Sequence, residues 1–150
     1  MHHGKPLTTA FHRNRFVADC VRAVMTEQKP SRGKLISFWA LTALFLLPMA
    51  AGGVADILHV ENVVETFNRL EYPLYLATIL GVAKLLGTIA ILAPGFPRLK
   101  EWAYAGFAFD LLGAASSHFA VSDYAGIAPP LILLGIMAGS YLLRPASRRL

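Results

Sequence analysis

Two stretches without a single charged residue, Leu35 to Ala55 and Tyr124 to Leu143, limit what this chain can fold into more than any other feature. About 20 consecutive apolar residues are enough for a helix to cross roughly 30 Å of hydrocarbon. Two further runs have the same length with few interruptions: Pro73 to Ala93 is broken by Lys84, and Trp102 to Ala120 by Asp110 and His118. In lipid every backbone polar group must be satisfied within the protein, so segments of this kind are helices. The pattern predicts an all-α fold, a transmembrane four-helix up-and-down bundle with spans of about 35–57, 73–93, 102–120 and 124–143. Only 15% of the 150 residues are charged, whereas soluble domains carry about 25%. The chain therefore divides into a basic segment, 1–34, and a four-span membrane domain, 35–150, which leaves no room for a separate soluble catalytic domain.

The net charge of +5 would suit nucleic acid, but its distribution follows membrane topology instead. Lys5, Arg13, Arg15, Arg22, Lys29, Arg32 and Lys34 precede the first span, against Asp19 and Glu27. The next connection reverses the sign with Glu61, Glu65 and Glu71 against Arg69. Arg98 and Lys100 then face Glu101, Asp123 stands alone between spans three and four, and Arg144, Arg148 and Arg149 follow the last span. Under the positive-inside rule this alternation places both termini on the cytoplasmic side of the inner membrane. The partner it implies is the lipid bilayer and not nucleic acid. Phe16, Val17, Cys20, Val21 and Val24 recur at helical spacing, opposite Arg13, Arg15 and Arg22. They predict a short amphipathic N-terminal helix on the inner leaflet. The lone Cys20 excludes an internal disulfide, and His2 and His3 are equally native residues or a tag remnant. Thirty basic and polar residues before the first apolar run do not form a signal peptide.

Pro73, Pro94, Gly95, Pro97 and Pro145 stand where helices start or stop. Pro48 falls inside span one and predicts a kink, while Pro129 and Pro130 fall in the first turns of span four. The loop VENVVETFNRLEYP predicts a short surface helix.

Charges inside the spans carry the chemistry. An ionised side chain at mid-bilayer costs about 2.5 to 3.5 kcal/mol, so Lys84 and Asp110 are expected to pair. Counted at 1.5 Å per residue, both lie roughly 12 to 14 Å from the inner boundary. Gly81 shares a face with Lys84, and Gly106, Gly113, Ala114 and Ser117 share one with Asp110; these stripes predict a helix-packing seam between spans two and three. Lys84, Asp110, Ser117 and His118 form the candidate intramembrane polar site. One lysine and one aspartate leave no charge over, which favours a structural pair above a transport site. At the outer end His118 is expected near Asp56, His59 and Glu61, a cluster suited to proton relay or headgroup binding. No HxxxH or HExxH spacing supports a metal, no GxxxxGK loop a phosphate, and no Ser-His-Asp set can be assembled.

EYPLYLATILGVAKLLGTIAIL and PRLKEWAYAGFAFDLLGAASSH resemble the DoxX-like family of small four-helix membrane proteins, over roughly Phe38 to Pro145. The residues that carry the resemblance are Tyr72, Pro73, Gly81, Lys84, Lys100, Glu101, Trp102, Ala103, Gly106, Phe107, Gly113, Ala114, Ser117 and His118. Asp110 fits the family pattern less closely. The resemblance implies a bundle fold, and relatives associated with a thiosulfate and quinone oxidoreductase, with oxidative-stress complexes, or with chaperoning of other membrane proteins. The expectation is a non-enzymatic accessory or scaffold subunit for a membrane or redox complex. A quinone- or lipid-binding oxidoreductase subunit using Lys84, Asp110 and His118 is the alternative, and an oligomeric small-solute transporter a second. Quinone is the cofactor candidate; another membrane or redox protein, or further copies of the chain, are the partner candidates.

Overall fold

The structure, a computed structural model, describes residues 32–145. The expected amphipathic helix and most of the basic segment lie outside the described residues, as do Cys20, His2 and His3. Five helices and no strands are present among the described residues: α1 (Arg32–Leu58), α2 (Glu61–Arg69), α3 (Leu74–Leu92), α4 (Pro97–Ala120) and α5 (Tyr124–Leu142). The four long helices cover the four predicted spans, and α2 is the expected surface helix in the first long loop. Its Val63, Val64 and Phe67 recur at helical spacing between Glu61, Glu65, Asn68 and Arg69.

α1, α3 and α5 are long and apolar enough to cross a membrane. α4 is not among them. Asp110, His118, Ser116, Ser117 and the charged first turns dilute its apolar character, so packing against neighbours must cover what its composition exposes. α1 continues as helix through Pro48. Pro129 and Pro130 lie deeper in α5 than its four first residues, whose amide donors have no intrahelical partner anyway.

α1 packs on α3 and α5, and α4 packs on the same two helices, so each long helix has two long neighbours. The core gathers Phe45, Leu46 and Met49 of α1, Ile91 of α3, Tyr104, Phe107 and Leu111 of α4, and Met137 of α5. Phe45 and Phe107 meet edge to face, with ring centroids 5.0 Å apart. Between helices in lipid such contacts act through close van der Waals packing, since acyl chains are as apolar as leucine.

A buried hydroxyl chain crosses this core. Thr42 Oγ1 donates to the carbonyl of Phe38 at 2.7 Å, which leaves its oxygen to accept from Ser140, 2.7 Å away. Ser140 Oγ can then accept from the Tyr104 hydroxyl at 2.9 Å. Each hydroxyl has one proton, so the chain has a single direction, Tyr104 to Ser140 to Thr42, and ties α4 to α5 to α1.

Loops at each end of the helices are pinned by charge. Arg69 of α2 reaches Asp123 in the α4–α5 loop at 3.3 Å. At the opposite end Arg144 Nη2 lies 2.8 Å from Glu101 Oε1, with its guanidinium 3.9 Å over the Tyr141 ring. Lys100 Nζ donates to the carbonyl of Ala93, the C-cap of α3, and to that of Gly95 in the loop that follows.

Candidate functional site

Gly53 of α1 and Gly81 of α3 bring their backbones so close that a methyl group on Gly81 would lie 2.6 Å from the Gly53 carbonyl oxygen. Neither position can carry a side chain without moving a helix. That contact seats Lys84 beside Gly53, and the flexible four-carbon stem lets its ammonium reach α1. Lys84 Nζ donates to Asp56 Oδ2 at 2.7 Å and stands 3.8 Å from Asp110 Oδ2. Lys84 therefore sits between two aspartates from two different helices. Its hydrogen bond goes to Asp56, and the predicted partner Asp110 is held as a longer ion pair. The premise of a neutral pair is corrected as well: one ammonium and two carboxylates carry a net charge of −1 unless a proton or other cation joins them.

The predicted small-residue seam is corrected in the same way. Gly81 packs against α1, whereas a methyl group on Gly106 or Gly113 of α4 would meet nothing within 4 Å. α3 and α4 do approach at Gly87, against the ring of Phe107, but beyond that contact the glycines of α4 make room instead of contact.

The room takes the form of two cavities that share Leu80, Lys84, Phe109 and Asp110. One, of about 440 Å³, runs along α4 towards Trp102 and is lined, apart from Lys84 and Asp110, by apolar residues and glycine. The other, of about 460 Å³, runs towards α2; Asn62, Thr66, Tyr72, Ser117 and His118 give it a polar wall, and Gly113 and Ala114 border it.

The expected outer-end cluster does not form as a unit. Asp56 is drawn to Lys84; His59 shares a hydrogen bond with Thr78 at 2.8 Å; Glu61 lies in the first turn of α2. His118 pairs through Nδ1 with Asp123 Oδ2 at 3.0 Å, and its ring fills the space over Gly126, where a β-carbon would clash at 2.2 Å. Ser117 shares a hydrogen bond with Tyr72 at 3.0 Å. Asp56 does lie in the last turn of α1 and lines the same cavity as His118; the depth count missed that the long lysine stem brings the Lys84 ammonium out to it.

Asp123 was not singled out as a site residue, yet it pairs with His118, pairs with Arg69 and caps α5 by accepting from the Gly126 amide at 3.2 Å. An aspartate directly before an apolar run is an N-cap signature and could have revealed it. The Gly126 amide, followed by His118, holds its carboxyl below the usual carboxylate range. Among the described residues no group of three or more His, Cys, Asp and Glu side chains is placed to hold a metal ion.

The sequence model of the DoxX-like family matches residues 40–140, a stretch that contains the triad of Asp56, Lys84 and Asp110 and every residue of both cavities. The chain belongs to the DoxX-like family. Membership and the long apolar helices together make it an integral membrane protein. No match was found among curated proteins or among solved structures. Within this family assignment the chemistry of the site must be read from its own residues. An ammonium held by one carboxylate and near another can donate to a carbonyl or anionic oxygen, and the second carboxylate can take up a proton.

Proposed function

We propose that this DoxX-like protein is an accessory subunit of the inner membrane, a transmembrane four-helix bundle with both termini cytoplasmic, whose intramembrane site receives the head of a quinone-class lipid. It is not the electron-transfer enzyme itself; a partner redox protein in the membrane would supply or accept electrons. The carrying observation is the apolar cavity of about 440 Å³ with Lys84 and Asp110 on its wall and the rings of Trp102, Phe107 and Phe109 around it. Ligand pockets are typically apolar, with a few polar groups that fix orientation. Lys84 Nζ would donate to a carbonyl oxygen, and the aromatic rings would bracket a flat conjugated ring. A bound quinone would supply the capacity to carry electrons and protons; the chain's own residues bind and orient it.

The test uses purified protein in nanodiscs with Trp39→Phe, which leaves Trp102 as the one fluorophore of its kind. A short-chain quinone should quench Trp102 saturably. The pair Asp56→Leu with Lys84→Met, which removes the donor together with the carboxylate it is hydrogen-bonded to, should weaken binding about tenfold, or 1.4 kcal/mol. Non-saturable quenching, or unchanged affinity in the double variant, would overturn the reading.

A scaffold reading draws on a different observation. The Lys84 to Asp56 bond joins α1 to α3 directly beside the Gly53 and Gly81 contact, where it serves helix registry. Under that reading the same double variant would remain fully active in complementation.

A further inference from the structure

The two cavities meet at one place, and their walls differ. Along α4 they extend from Trp102 to His118, about 24 Å at 1.5 Å per residue, most of the roughly 30 Å thickness of a hydrocarbon core. The half that points to Trp102 has no hydroxyl, amide or charged side chain besides Lys84 and Asp110, whereas the half that points to α2 adds Asn62, Thr66, Tyr72, Ser117 and His118 among its apolar side chains. A cavity holds water when it is roomy and offers several hydrogen-bond partners, and stays dry when it is apolar. Ionisable groups inside membranes characteristically face such water-filled spaces.

We propose that the polar cavity is an aqueous half-channel that carries protons between the α2 face of the membrane and Asp110, and that it ends there. Asp110 is the terminal group because Lys84 gives its hydrogen bond to Asp56 at 2.7 Å and stays 3.8 Å from Asp110, so the Asp110 carboxylate is the less compensated of the two. The charged and titratable groups around it are Lys84 of α3, Asp56 of α1, His118 on its own helix and Tyr72 before α3. Protonation converts the Asp110 carboxylate to a carboxylic acid and brings the triad from net −1 to neutral; loss of the proton to the same face reverses it. At the mouth stand His118, oriented by Asp123, and the Tyr72 and Ser117 hydroxyls, groups able to pass a proton to water. The half-channel stands whether or not a quinone occupies the apolar half, and its test contains no quinone.

Gly113 and Gly106 make a matched pair, one in each half, and both have open space where a side chain would begin. In a Cys20→Ser background, Gly113→Cys and Gly106→Cys are reconstituted and treated with a membrane-impermeant methanethiosulfonate, which reacts with thiolate and hence needs water at the thiol. Gly113→Cys should label within about tenfold of the surface reference Glu65→Cys and from the α2 side only, with Gly106→Cys at least about a hundredfold slower from either side. Ala114→Cys, on the same wall as Gly113, replaces it if that variant does not fold. Infrared difference spectra on acidification should show a protonated-carboxyl band that Asp110→Asn removes. Equal labelling of both cysteines, protection of Gly113→Cys and Ala114→Cys alike, or a band that survives in Asp110→Asn would each overturn the proposal.

Discussion

Where α3 faces α1, glycine meets glycine and the helices touch through backbone; where α3 faces α4, they touch at Gly87 and Phe107, but Gly106 and Gly113 of α4 face open space along cavities on either side of Asp110. Lys84 belongs to both regions, for its stem starts at the tight contact and its ammonium lies at the edge of the open one. The difference teaches that a stripe of small residues has two opposite uses in a membrane helix. It can bring a partner backbone close, or it can leave a void that polar neighbours make useful.

The contrast is broken most forcefully at Gly81. A leucine there would drive its β-carbon to 2.6 Å from the backbone oxygen of Gly53, which no rotamer change relieves. Gly81→Leu should cost about 3 kcal/mol or more, near or above the usual range for overpacking, read as a lowered midpoint in unfolding from detergent micelles. A midpoint within error of the parent protein would mean that α1 and α3 are not in backbone contact.

Removing the link between the two regions comes next. Asp56→Ala leaves Lys84 with only the longer Asp110 pair, and breaking a buried pair from one side costs about 3 kcal/mol. Asp110→Asn keeps the 2.7 Å bond and should cost much less. If the two substitutions were equally damaging, Lys84 would not prefer Asp56.

At the mouth of the open region, Asp123→Ala removes the α5 cap and the His118 and Arg69 pairings together, and should lower the unfolding midpoint less than Asp56→Ala does. The Asp123 carboxyl is held low by the Gly126 amide and then by His118. A group whose folded value is depressed contributes stability above its unfolded value, about 3.9 for Asp, and loses it as pH falls through the folded value. Stability of the parent protein should therefore decline below about pH 4 more steeply than that of Asp123→Ala. Parallel declines would show that Asp123 is not the group concerned.

The smallest effect sharpens the contrast from the other side. Gly106→Ala and Gly113→Ala meet nothing within 4 Å, and alanine favours helix over glycine by about 0.5 to 1 kcal/mol. Both should be neutral or slightly stabilising in the same unfolding measurement, and a large loss at either would place α4 in close contact after all.

The helices were legible because their signals are local. Absence of charge over about 20 residues, prolines at the boundaries and helical spacing in the first loop each concern neighbours along the chain, and α1 to α5 follow them within a few residues. α4 shows the limit of that legibility: its boundaries could be read, but its composition alone does not qualify it as a span. The site was legible in part. Lys84, Asp110, Ser117 and His118 do line one cavity and Lys84 does pair with Asp110, while the shorter bond of Lys84 to Asp56 and the several roles of Asp123 were missed.

By itself, then, the sequence determined where the long helices of the described residues run, where they break and which few charges they contain. Tertiary structure alone decided which charges meet and which glycines touch. Depth along a helix can be counted in residues, but neighbours depend on how each helix is rotated about its axis and on how far a long side chain reaches. A glycine in the sequence is also the same letter whether a backbone or a cavity stands opposite it, and only the packing of α1, α3 and α4 separates Gly81 from Gly106 and Gly113.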